Sequence, residues 1–253
     1  MMHRASHDAP RITPPGGDPL PIEIDGIASS EQIRAELAAE GNPVLLGFSR
    51  GKDSLAAWLA MREAGITVVP YHLYLIPNLR FVEDSRKFYE DFFQTEILNL
   101  PHPSLYRWLN GLLFQPPERA AVIEAAQLPE PVYEEIADML REDLGLAGSW
   151  NADGVRAADS PNRRMAMVTH GPKREQLRKV SIVWDWRIAD VREALKRHNC
   201  PLPPEYEWFG RSFDGLDFRF LDPIRQHAPD DYERILEWFP LADLEVFRRN
   251  LAA

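Results

Sequence analysis

The join at Ser49-Arg50-Gly51-Lys52-Asp53-Ser54 constrains the fold more than any other stretch of the chain. Residues 44–48 form an apolar run too short for a helix, and Leu55, Trp58 and Leu59 then recur at helical spacing as far as Gly65. The order is therefore strand, tight loop, helix. Residues 66–76 return to β-branched and aromatic types, with Pro70 marking a bulge or a shortened strand. Phe81, Ser85, Phe88, Tyr89 and Phe92 then line one helical face, and residues 96–100 give a further short strand. Such β-α-β-α-β alternation predicts a parallel sheet covered by helices.

The flanking segments extend this reading. Ser29 and Gln32 have capping-box spacing ahead of Ile33 and Leu37, and Gly41 sits where that helix should stop. Six prolines between 101 and 131 break the next segment into short helices such as 118–127, so residues 101–146 are expected to be a helical insertion serving as a lid or a partner surface. Helices are predicted at 132–144 and 188–198, a strand at 180–184, and two closing helices at 230–239 and 241–251. Residues 1–28, with Pro10, Pro14, Pro15, Pro19 and Pro21, are expected to be a flexible tail, residues 29–225 the core domain, and 226–253 the C-terminal helices.

Composition narrows the function classes. The formal charge is 29 − 39 = −10, which argues against broad adhesion to nucleic acid or anionic lipid and makes any polyanion site a local one. No apolar run reaches the roughly 18 residues of a membrane span, so no membrane association is expected. The single cysteine, Cys200, can form no internal disulfide, iron–sulfur cluster or structural zinc site, which points to a reducing, cytoplasmic setting. Cys200 is expected to be a small buried hydrophobe. His72 and His170 lack partners at metal spacing, and Trp184 and Trp186 are read as packing residues.

The 49–54 loop carries what a polyphosphate needs. Gly51 allows close approach, amides at the helix start face an anion, Lys52 adds charge, and the hydroxyls of Ser49 and Ser54 can donate to phosphate oxygens. Arg50 is counted with them. Asp53 cannot bind phosphate and is read as a ligand to magnesium or substrate. The loop is not the P-loop of kinases and GTPases, because only three residues separate Gly47 from Gly51 and Asp53 stands where Ser or Thr is required.

A second constellation runs from Gly154 to Arg164. Ser160 can cap a helix with Pro161 in its first turn, and Arg156 and Arg163 offer forked donors to an anion opposite the loop. Arg156 to Lys179 holds seven Lys and Arg against Asp159 and Glu175. A third stretch, Arg211 to Asp217, is polar at Arg211, Asp214 and Asp217 and reads as either a substrate loop or plain turn chemistry.

These segments resemble the PP-loop superfamily of ATP pyrophosphatases, and within it the phosphoadenosine phosphosulfate (PAPS) reductase family. Ser49-Arg50-Gly51-Lys52-Asp53-Ser54 is similar to the family's SxGxDS loop, and Gly154-Val155-Arg156 to Arg163 to its Gly-x-Arg segment. Ile182-Val183-Trp184-Asp185-Trp186, Asp190-Val191 and Leu202-Pro203-Pro204-Glu205-Tyr206 resemble its third conserved stretch. The matches span residues 43–225 with 101–146 unmatched. The resemblance implies an open, mostly parallel five-stranded α/β sheet of the adenine nucleotide alpha hydrolase-like kind, with ATP and Mg²⁺ across the strand ends. It places Ser49, Gly51, Asp53 and Ser54 at the phosphate site and Arg156 and Arg163 facing the ligand; Arg50, Lys52, Gly154 and Ser160 are counted with these as nucleotide-binding residues. Lys52 and Asp53 are the expected catalytic pair, cleaving the α–β phosphate bond to adenylate a second substrate such as a nucleobase or a small carboxylate. Any sulfur would come from a partner protein, because the C-terminal catalytic cysteine of the reductases is missing. The alternatives are a sulfonucleotide reductase using Cys200 and a non-catalytic nucleotide-binding module.

Overall fold

A computed structural model describes residues 22–251. The strands are β1 (Val44–Gly47), β2 (Val68–Tyr74), β3 (Leu98–Pro101), β4 (Asn151–Asp153), β5 (Lys173–Arg174) and β6 (Lys179–Ser181). They form one six-stranded sheet in the order β3-β2-β1-β4-β6-β5, parallel except for the edge strand β5, which runs antiparallel to β6. The expected open parallel sheet is therefore present, five parallel strands plus one antiparallel edge.

Twelve α-helices lie among the described residues. The first six are α1 (Ser30–Glu40), α2 (Lys52–Glu63), α3 (Arg80–Phe93), α4 (Pro103–Asn110), α5 (Pro117–Ala126) and α6 (Tyr133–Asp143). The remainder are α7 (Pro161–His170), α8 (Ile188–Arg197), α9 (Glu205–Phe209), α10 (Phe218–His227), α11 (Pro229–Trp238) and α12 (Asp243–Leu251). The Ser29–Gln32 capping box is formed at α1, and Gly41 closes that helix with φ 70°. Ser160 caps α7 with Pro161 in its first turn. The strand expected at 180–184 ends at Ser181; Ile182, Val183 and Trp184 owe their apolar character to burial in a turn.

Helices α1, α2, α3 and α8 bury Ile33, Leu55, Trp58, Phe93 and Leu195 on one face of the sheet, where Trp58 stacks on Phe93 at 3.9 Å between ring centres. On the other face α6 places Ile136 and Leu140 against Leu45 and Tyr71. This end of the 101–146 segment is therefore a covering layer of the sheet, whereas α5 buries no residue. A second cluster joins Leu105 of α4 to α10, α11 and α12 through Phe220, Ile224, Ile235 and Val246. The expected tail overreaches: residues 1–21 lie outside the described residues, but Ile22 is buried in the core and Trp184 Nε1 donates to the Ala28 carbonyl at 3.1 Å.

Candidate functional site

The loop is held from behind by a buried ion pair. To turn from β1 into α2 the backbone passes through Arg50 at φ 62°, a left-handed conformation that costs a non-glycine residue about 1–3 kcal/mol. Its side chain turns inward, 1% exposed, and Nη1 donates to Glu205 Oε1 at 2.8 Å; Glu205 is fully buried. Burial lowers the arginine pKa and raises that of the carboxyl, while their mutual attraction opposes both shifts. Arg50, grouped in the sequence with the phosphate-facing residues, is thus placed as the tether between the loop and α9.

The front of the loop collects hydroxyls. Lys52 N–H, at the start of α2, donates to Tyr206 Oη at 2.9 Å. A Cβ at Gly51 would lie 3.2 Å from both Tyr206 Oη and Ser212 Oγ and 3.3 Å from Ser49 Oγ. Ser49 Oγ is 3.2 Å from Ser54 Oγ, which donates to the Gly51 carbonyl at 2.9 Å. Lys52 Nζ sits 2.6 Å from Asp53 Oδ2. Four hydroxyls, a lysine and the first amides of a 12-residue helix therefore surround one glycine, an arrangement suited to an anion.

The second constellation meets the loop through Gly154. A Cβ there would stand 2.5 Å from the Asp53 carbonyl oxygen and 2.6 Å from its carbon, so no larger residue fits without moving backbone. This contact delivers Arg156, 4% exposed, to Asp53: Nε and Oδ1 face each other at 2.9 Å as an ion pair without hydrogen-bond alignment. Arg156 Nη2 also reaches Asp159 Oδ1 at 2.7 Å. Arg163 is half exposed and pairs with Asp159 Oδ2 at 2.5 Å, so it stands one residue removed from the loop, and Arg164 is exposed.

Beside the loop, at the carboxyl ends of β1, β2 and β4, a cavity of about 320 Å³ is lined by Ser49, Tyr71, Asn151, Lys179, His102 and Tyr133. That volume lies in the range of small-molecule sites, and strand carboxyl ends are where open α/β sheets bind ligands. Tyr71 Oη donates to Asn151 Oδ1 at 3.1 Å within it. A larger groove of about 550 Å³ lies between α3 and α9, walled by Phe81, Tyr89 and Trp208, but none of the loop residues lines it. Of the two, the smaller is the one that a loop residue, Ser49, lines.

Of the third stretch, Arg211 pairs with Asp214, and Asp217 caps α10 by accepting from Arg219 N–H at 3.0 Å. Hydrogen bonds from the Arg219 side chain hold the Asp217 carboxyl below its usual range. These three engage neighbours within their own turn; Ser212 is the member that reaches the loop. Cys200 is buried, and burial pushes its thiol up to about 12, leaving almost no thiolate at neutral pH. His72 is buried, with Nδ1–H donating to the Phe48 carbonyl at 3.0 Å and the imidazole held neutral by burial down to about 3.

Glu205, Tyr206 and Ser212 were not among the site residues expected from sequence: all three lie inside stretches singled out there, but nothing in the sequence assigned them to the loop. The fold is thus that of an open, mostly parallel α/β protein with an anion-suited loop at the first strand's carboxyl end. No protein-family model matches this chain, and no curated protein matches it either. No helix among the described residues is long and apolar enough to cross a membrane.

Proposed function

We propose that the chain is an ATP pyrophosphatase of PP-loop type: it binds ATP with its phosphates on the 49–54 loop and its nucleoside in the adjoining cavity. The α–β phosphate bond is then cleaved to adenylate a second substrate, a nucleobase or a small carboxylate. The observation that carries this reading is the Gly154 contact, which sets Arg156 against Asp53 beside an anion-suited helix start and a ligand-sized cavity. The substrate oxygen attacks the α-phosphorus, the bond to the bridging oxygen breaks, and pyrophosphate leaves with the electron pair. Lys52, the α2 amides and Arg156 stabilise the charge that grows on it.

Magnesium fits this site only as a complex with the nucleotide. Among the described residues no cluster of three metal-binding side chains exists, and the oxygens of Asp53 face Lys52 and Arg156. Phosphate oxygens and water would supply most ligands, as is usual for Mg²⁺, and Asp53 could add only Oδ2, once Lys52 turns to the phosphates. Bound there, the ion would offset phosphate charge.

The products test this reading. Pyrophosphate and an adenylated acceptor are expected when ATP, Mg²⁺ and candidate acceptors are combined, whereas ADP and phosphate would overturn it. Arg156→Lys keeps charge but loses the fork that reaches both Asp53 and Asp159. It should weaken ATP binding by about 1.5–3 kcal/mol, the range for charged hydrogen bonds, measured by calorimetry. Arg164→Lys should leave binding unchanged.

A further inference from the structure

The 101–146 segment falls outside every motif in the sequence, yet it helps to line the cavity. Tyr133 is the first residue of α6, which Ile136 and Leu140 fix to the sheet. Its ring packs edge-on against His102 at 5.6 Å and 81°, and its hydroxyl lies 3.0 Å from His102 Nε2. The direction of that bond follows from the other ring nitrogen. His102 Nδ1 accepts from Ser104 N–H at 2.9 Å as the cap of α4, so the ring proton is on Nε2 and is donated to Tyr133 Oη. Burial and nearby Arg107 hold His102 down to about 4, so this neutral tautomer persists at neutral pH. The tyrosine's own proton then remains for a further acceptor. At 44% exposure Tyr133 is also a large ring lining the cavity that Ser49 of the loop lines.

We infer that Tyr133, oriented by His102, meets the edge of the bound nucleotide's base and donates its hydroxyl proton to a ring acceptor there. The inference rests on the nucleotide reading above. A ligand whose phosphates sit on the loop can present its base to this corner, and the edge of a planar base offers a ring nitrogen whose in-plane lone pair accepts from the hydroxyl. His102 acts as a positioning residue. The helical segment thereby becomes the selectivity wall of the site, a role that the phosphate loop cannot fill because every nucleotide carries the same phosphates.

The test is calorimetry of the full chain with ATP and with inorganic tripolyphosphate, which lacks a base. Tyr133→Phe should weaken ATP roughly three- to tenfold, the worth of one neutral hydrogen bond. Tyr133→Ala should weaken it further, and His102→Asn, which keeps an acceptor for Ser104, should match Tyr133→Phe. Tripolyphosphate affinity should not move in any of them. Wild-type chain that binds ATP, with Tyr133→Phe and Tyr133→Ala binding it equally well, would overturn the inference and leave the nucleotide reading standing. Parallel weakening of ATP and tripolyphosphate would reduce Tyr133 to a structural role and also overturn it. Wild-type chain that binds neither ligand defeats the nucleotide reading itself. Tyr133→Phe removes one oxygen and keeps the ring, so unchanged ATP affinity in it overturns the inference even where tripolyphosphate binds too weakly to measure.

Discussion

Glu205→Ala is expected to destabilise the chain by about 3–5 kcal/mol, the cost of leaving one member of a buried ion pair without its partner. Arg50 is 1% exposed and its guanidinium cannot reach water without dismantling the loop. The same substitution releases α9, so Tyr206 Oη no longer accepts from Lys52 N–H and the front of the loop loosens with its back. Chemical unfolding should show the loss directly, and thermal unfolding should show a drop on the order of 10 °C for a chain of this size. The double variant Arg50→Met, Glu205→Leu separates charge from shape. Apolar replacement of both partners is often neutral or stabilising, so the double variant should recover most of the loss. A Glu205→Ala chain as stable as wild type would show that the pair is not what holds the loop.

Gly154→Ala should be nearly as damaging, for a steric reason. The added Cβ would meet the Asp53 carbonyl at 2.5 Å and Ser54 N at 3.0 Å, both backbone atoms at the start of α2. Neither can swing aside as a side chain would, so the segment after β4 must retreat and carry Arg156 away from Asp53. Overpacking of this kind costs about 1–3 kcal/mol, and ATP binding should fall below detection because the two halves of the site separate. Gly51→Ala is the informative contrast. Its Cβ meets the movable hydroxyls of Ser49, Tyr206 and Ser212 at 3.2–3.3 Å, so its effect on thermal stability should be much smaller. Equal stability of Gly154→Ala and wild type, with ATP binding retained, would show that the close contact does not hold the two segments together.

Much of this architecture is legible in local sequence because local chemistry decides it. The Ser29–Gln32 box, the Ser160–Pro161 cap and the strand–loop–helix at Ser49–Ser54 each satisfy backbone groups within a few residues, so pattern and structure agree. Strand β4 was illegible for the opposite reason. Asn151-Ala152-Asp153 has the composition of a turn, and it is a strand only because β1 and β6 pair with it on both sides. The antiparallel β5, two charged residues long, carries no strand signal, and α10 was hidden by Pro223 within it. At the site the same division holds. Glycine, serines, lysine and aspartate of the loop announce an anion site by type, but charge alone could not tell that Arg50 turns inward, since Glu205 lies 155 residues away. Tyr206 and Ser212 reach the loop across a similar distance in sequence, and only the fold brings them there.

Calorimetric titration of Mg²⁺·ATP into wild-type chain and into Gly51→Val tests the central claim most directly. Valine would place a branched side chain among the hydroxyls of Ser49, Tyr206 and Ser212, where the phosphates are proposed to sit. Saturable one-site binding to wild type is expected, and none to Gly51→Val of unchanged circular dichroism. Equal binding to both chains, or none to wild type, would contradict it.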